Sequence, residues 1–142
     1  MQSEELRELR TYSDGASRGN PGPAAAAIKI VDENGVVVKK FSKFLGRKTN
    51  NQAEYEALIE ALQLARGFTK GYMHCFLDSE LVVKQLNGEY QVRNPRLEVL
   101  WLKVRELQQH FQSVSFNHIS RTDKNMKEVD GSANRVLDSV LG

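Results

Sequence analysis

Four carboxylates in this 142-residue chain sit near the ends of its elements: Asp14, Glu54, Asp78 and Asp130. Several acids on one edge repel each other, and a divalent cation removes that cost. Oxygen ligands without a Cys or His supply select Mg²⁺ or Mn²⁺ over zinc. Each acid also has a plainer reading. Asp14-Gly15 in TYSDGASRGNPGPAAAA suits a turn, and Asn51-x-x-Glu54 has the form of a capping box. Asp78 before Ser79 suits a helix N-cap, and Asp130 before Gly131 a turn or cap. Taken singly, these readings weigh at least as much as the chemical one. Taken together, the acids require elements that carry them to one place.

The hydrophobic pattern supplies such elements. After a lead-in over residues 1–6, a first strand over residues 7–14 ends at Asp14, and AAAAIKIVD is the second. ENG turns the chain into a third strand, VVVKKFSKFLG. NNQAEYEALIEALQLARGF is an amphipathic helix with Glu54 in its first turn, Ala53, Ala57, Leu58, Ala61, Leu62 and Ala65 on one face, and Gly67 at its close. MHCFLD is a buried fourth strand ending at Asp78, and SELVVKQLNG a short helix. Pro95 opens a long helix with Leu97, Leu100, Trp101, Val104 and Leu107 inward, SVSFNHI is a fifth strand, and residues 125–140 form a helix interrupted at Gly131. An antiparallel meander followed by crossover units implies a mixed α/β sheet with helices on both faces. The economical topology sets strands one and four side by side and parallel, so Asp14 and Asp78 share the rim where open α/β sheets place ligands.

Composition bounds the alternatives. The length fits one domain with a real core, and a net charge of +2 says little about partners. Lys39, Lys40, Lys43, Arg47 and Lys48 nevertheless fall within ten residues, either a phosphate-binding patch or a lysine-protected sheet edge. One cysteine, Cys75, excludes an intrachain disulfide and a cysteine metal cage, and packs as a small buried side chain. No signal peptide or membrane-spanning run is present, so no membrane partner and a cytoplasmic location are expected.

The stretches YSDGASRGNPGPA, TNNQAEYEAL, DSELVVKQLNG and the D-x-x-AN of DGSAN, in that order, resemble ribonuclease H type 1 over essentially the whole chain. The resemblance implies a single catalytic domain over residues 1–142, with strand order 3-2-1-4-5. It implies a monomeric endonuclease that cuts the RNA strand of RNA–DNA hybrids, leaving 3′-hydroxyl and 5′-phosphate ends, with two Mg²⁺ ions as cofactor and Mn²⁺ as substitute. The family's metal-binding catalytic acids fall on Asp14, Glu54, Asp78 and Asp130. Arg47, Thr49 and Asn94 match a pocket for a DNA-strand phosphate, and Asn20, Asn50 and Asn51 match minor-groove contacts. On this reading, Gly15, Gly19 and Gly22 admit nucleic acid close to Asp14, and the basic run gains weight as backbone-binding charge.

Departures from the family are equally specific. EYQVRN is too short to carry the basic, Trp-rich protrusion of many relatives, and no hybrid-binding domain precedes the first strand, which implies weaker or more salt-sensitive binding. Arg121 stands nearest to where many relatives place a mobile His, and His118, farther upstream in or at the end of the last strand, reads as structural. RTDKNMKEVD is about two residues longer than the related R-x-x-N pattern, so Asp123 and Glu128 rival Asp130, which alone precedes the matching Ala133-Asn134. His74, His110 and Trp101 read as packing or surface residues. A catalytically quiet binding module and a nuclease for duplex RNA or DNA junctions are the competing readings.

Overall fold

A computed structural model describes residues 7–142; the lead-in expected over residues 1–6 lies outside them. The elements are β1 (Glu8–Ser17), β2 (Gly22–Asp32), β3 (Val37–Lys48), α1 (Asn50–Ala65), β4 (Tyr72–Leu77), α2 (Glu80–Leu86), α3 (Pro95–Gln108), β5 (Ser113–His118) and α4 (Lys124–Leu141). They build a five-stranded sheet in the order β3-β2-β1-β4-β5, with β1–β2 and β2–β3 antiparallel and β1–β4 and β4–β5 parallel. This is the mixed sheet expected from the sequence.

Strand alternation divides the core in two. Leu9, Ile28 and Ile30 face α1 and α3, joined by Leu58, Leu62, Val104 and Leu107. Tyr12, Ala25, Ala27 and Val31 face α4, which returns Met126, Val129, Ala133 and Leu137. Their spacing makes a single helical stripe that continues past Gly131, so the expected interruption there is absent. Helix α1 is buried along most of its length, and Ala53, Ala57, Ala61 and Ala65 let it lie close on the sheet. Cys75 is buried, which pushes its thiol up to about 12 and leaves it a packing group.

Two boundary differences matter for the site. β1 runs to Ser17 because β2 pairs with it as far as Ser17↔Ala24, so Asp14 is not its last residue. β4 ends at Leu77, and Asp78 stands just beyond it.

Candidate active site

The parallel β1–β4 register runs from Glu8↔Tyr72 to Tyr12↔Phe76. Continued by two residues, it sets Asp14 level with Asp78. Both strands thus deliver an acid to one rim, Asp14 from inside β1 and Asp78 from the first position past β4. Asp78 does not cap α2. Ser79 does, its hydroxyl accepting from the Val82 N–H at 3.3 Å, and the Asp78 carboxylate is left for the rim.

Glu54 arrives from the opposite face, and its placement depends on Gly15. A Cβ at Gly15 would lie 2.1 Å from the Ala53 carbonyl carbon and 2.4 Å from the Glu54 nitrogen, so only glycine lets α1 rest against β1 here. The space expected to admit nucleic acid at this position is filled by the helix backbone. The Gly15 N–H then donates to Glu54 Oε1 at 2.6 Å. Gly22 is likewise held close, its would-be Cβ 2.3 Å from the Arg18 carbonyl oxygen. Glu54 falls in the second turn of α1, not the first, and the capping box is formed by Thr49 and Gln52 rather than Asn51 and Glu54. Gln52 N–H donates to Thr49 Oγ1 at 3.2 Å, and Thr49 N–H to Gln52 Oε1 at 2.8 Å.

Asp14, Glu54 and Asp78 each offer a carboxylate oxygen within 4.8 Å of the others. Asp14 and Glu54 are only 5% and 3% exposed, and Glu54 Oε2 is buried without a hydrogen-bond donor. Such a group is costly unless something positive completes it. Burial, the largest cause, pushes Asp14 up to about 7; a proton shared with Glu54 opposes this, and the Asp78 and Asp130 charges add to it. Burial, followed by the Asp14 and Asp78 charges, holds Glu54 well above the usual carboxylate range, against the pull of the Gly15 N–H. Asp78 is raised by burial, and the Arg121 cation offsets part of the rise. The all-oxygen donor set, the mutual repulsion and the orphaned Oε2 fit a hard divalent cation.

Asp130 joins this group from the exposed surface of α4. It lines the same cleft, about 1180 Å³ in volume, together with Asn50, His118, Arg121, Lys127 and Asn134. That is far more room than a metal site needs, and it leaves space for a bulky substrate. Its rivals are occupied elsewhere. Asp123 is the N-cap of α4, accepting from Asn125 and Met126, and Glu128 pairs with Lys29 and Lys40 at 3.2 and 3.3 Å.

The residues matched to substrate contacts are spread more widely. Asn50 lines the cleft, and its N–H donates to Asn20 Oδ1 at 3.0 Å, tying Asn20 to the α1 N-terminus. Asn51 is half-buried in the first turn of α1. Arg47 is exposed near the end of β3. Asn94 caps α3, accepting from the Arg96 and Leu97 N–H groups, so its side-chain Oδ1, like the Thr49 hydroxyl, is engaged by the fold. Arg47, Thr49 and Asn94 all lie outside the cleft lining. The basic run is partly neutralised: Lys40 pairs with Glu128, Lys43 with Glu60 and Lys48 with Glu56.

His74 is half-buried between Glu8 and Ser115, and Trp101 donates to the Gln85 carbonyl oxygen while packing on the core, both structural as expected. His118, by contrast, is exposed and reaches the cleft. Sequence reasoning passed over Lys127 and Arg18, and used Asn134 only as the motif residue that marks Asp130. The available signals were the position of Asn134 one helical turn beyond Asp130 and of Arg18 four residues beyond Asp14.

A family model described as "Reverse transcriptase-like" matches residues 12–135. A ribonuclease HI of Halobacterium salinarum is 41% identical over 93% of this chain. A bifunctional protein of Mycobacterium tuberculosis is 33% identical over 90% of it. The chain spans only 65% of the first protein's length and 35% of the second's. The crystal structure of RNase H1 from Halobacterium salinarum superposes with a TM-score of 0.88, covering 93% of this chain and 98% of that one. LC11-RNase H1, solved in complex with an RNA/DNA hybrid, matches at 34% identity and a TM-score of 0.87, covering 94% and 99%.

Proposed function

We propose, on the premise that this chain belongs to the reverse transcriptase-like ribonuclease H family, that it is an endonuclease hydrolysing the RNA strand of RNA–DNA hybrids. The products would carry 3′-hydroxyl and 5′-phosphate ends. The cofactor would be two Mg²⁺ ions, replaceable by Mn²⁺, and residues 1–142 would form a single catalytic domain. The observation that carries this reading is the gathering of Asp14, Glu54 and Asp78 oxygens within 4.8 Å at the floor of a cleft that Asp130 also lines. The hybrid itself is proposed from LC11-RNase H1, which was solved with an RNA/DNA hybrid.

Asp14, Glu54, Asp78 and Asp130 would hold the ions, and Asp14 and Asp78 each interact with the other three acids. When bound, the ions supply positive charge at the attacking and leaving oxygens of an in-line displacement. The protein prepares this by burial. Asp14 and Glu54 are buried, and the Gly15 N–H holds Glu54 Oε1 while Oε2 stays buried without a hydrogen-bond partner. Burial and mutual repulsion raise both the Asp14 and Glu54 carboxyls, so cation binding there would compete with protons. Arg121, whose cation opposes the rise of Asp78, would bear on the scissile phosphate from the cleft wall. Asn20 and Asn50, tied together at the α1 N-terminus, would face the minor groove, where the 2′-hydroxyl separates RNA from DNA.

The test is cleavage of an end-labelled RNA–DNA hybrid with and without Mg²⁺. Wild type should cut only with the ion and spare duplex DNA, while Asp14→Asn loses about 10³-fold or more in rate yet still binds the hybrid. A wild type that binds hybrid but never cuts it with Mg²⁺ or Mn²⁺ would refute the enzyme reading. Equal cutting of hybrid, duplex RNA and duplex DNA would refute the hybrid specificity.

A further inference from the structure

Asp130 differs from the other three acids in lying on an exposed helix surface with no core around it. A carboxylate there rotates freely unless its neighbours hold it, and ordering it costs side-chain entropy. The neighbours form a continuous chain. Asn134, one turn on along α4, donates from Nδ2 to the Asp130 carbonyl oxygen at 3.0 Å and to its carboxylate Oδ1 at 3.3 Å. Arg18 Nη2 in turn donates to Asn134 Oδ1 at 3.4 Å, to the Asn134 carbonyl oxygen at 3.3 Å and to Asp138 Oδ1 at 2.6 Å.

This arrangement settles which way the Asn134 amide faces. Flipped, it would set its NH₂ against the guanidinium and its carbonyl against the Asp130 carboxylate, opposing donor to donor and acceptor to acceptor. Arg18 therefore orients Asn134, and Asn134 orients Asp130. The Arg18 backbone is itself fixed, since its N–H donates to the Pro23 carbonyl oxygen at 2.8 Å. Arg18 follows β1, the strand that carries Asp14, and its guanidinium grips α4, the helix that carries Asp130. The chain of contacts thus links two acids that approach from separate elements.

We infer that Arg18 and Asn134 are positioning residues for Asp130, fixing its carboxylate toward the cluster formed by Asp14, Glu54 and Asp78; this rests on the proposed metal-dependent reading of the site. Neither residue needs to touch the reacting phosphate. Their removal weakens a metal ligand without deleting it, a loss of about 10-fold in affinity for partners that orient ligands.

The test is calorimetric titration of Mn²⁺ into the whole chain, paired with the Mg²⁺ dependence of hybrid cleavage. Asn134→Ala and Arg18→Ala should each weaken Mn²⁺ binding about 10-fold and raise the Mg²⁺ needed for half-maximal cleavage by the same factor, with kcat recovering at saturating metal. The double variant should lose no more than Asn134→Ala alone, because Arg18 acts through the amide. Losses that multiply in the double variant, or Mn²⁺ binding by Asn134→Ala equal to that of wild type, would overturn the inference. A wild type that neither binds Mn²⁺ nor cuts the hybrid overturns the proposed function instead, so the two failures are told apart.

Discussion

The two sides of the cleft are built by different means. On the floor, Asp14 and Asp78 are set by a parallel strand register, and Glu54 by a helix that only a glycine lets approach. Core packing over-determines all three. On the wall, Asp130 rides on the exposed face of α4 and depends on a short run of side-chain hydrogen bonds. The difference teaches where the energy of the site is stored. The floor holds acids against their own repulsion in a buried place, which the fold tolerates because the surrounding core is large. The wall stores little and is tuned by polar contacts.

This contrast can be broken most sharply by a matched pair of substitutions. Asp78→Asn should cost hybrid cleavage about 10³-fold, whereas Asp130→Asn should cost only about 10- to 100-fold, because water can stand in for an exposed ligand. Equal losses in single-turnover rates would erase the distinction. Gly15→Ala comes next. The added methyl meets the α1 backbone rather than a yielding side chain, so urea unfolding should show about 3 kcal/mol of destabilisation. Gly131→Ala, on the wall, should be neutral or slightly stabilising, as its would-be Cβ meets only the end of the Arg135 side chain at 3.4 Å.

A smaller effect is expected from pH. With Asp14 raised to about 7 in the folded protein and Glu54 raised as well, the native state binds protons that the unfolded chain has already released. Stability of the metal-free protein is therefore greatest below the ordinary carboxylate range and falls as pH rises toward and through 7. Asp14→Asn should flatten that fall in thermal melts, and Mn²⁺ affinity should grow over the same interval as the protons leave. Asp130→Asn should leave most of the fall in place.

What was legible in the sequence follows the same division. The strand and helix map and the pairing of Asp14 with Asp78 rest on hydrophobic period and topology, which a sequence displays directly, whereas the full strand order and the arrival of Glu54 came from the family resemblance. Gly15 was noticed but given the wrong neighbour, since a glycine shows that something comes close without showing what. Thr49-Gln52 displaced Asn51-Glu54 as the capping box because the helix begins two residues earlier than that pairing requires. The lysines from Lys39 to Lys48 read as one patch in sequence. On a strand, alternate residues meet opposite faces, and Lys40 and Lys43 are answered by acids on different helices, α4 and α1. Arg18 and Asn134 were invisible as a pair because 116 positions separate them in the chain.

The claim on which the rest depends is that these acids exist to hold hard cations. Crystals grown with Mn²⁺ and measured for its anomalous scattering test that claim without reference to turnover. The account predicts anomalous density within coordination distance of Asp14, Glu54 and Asp78. Manganese bound only elsewhere on the molecule, with that cluster empty, would contradict it.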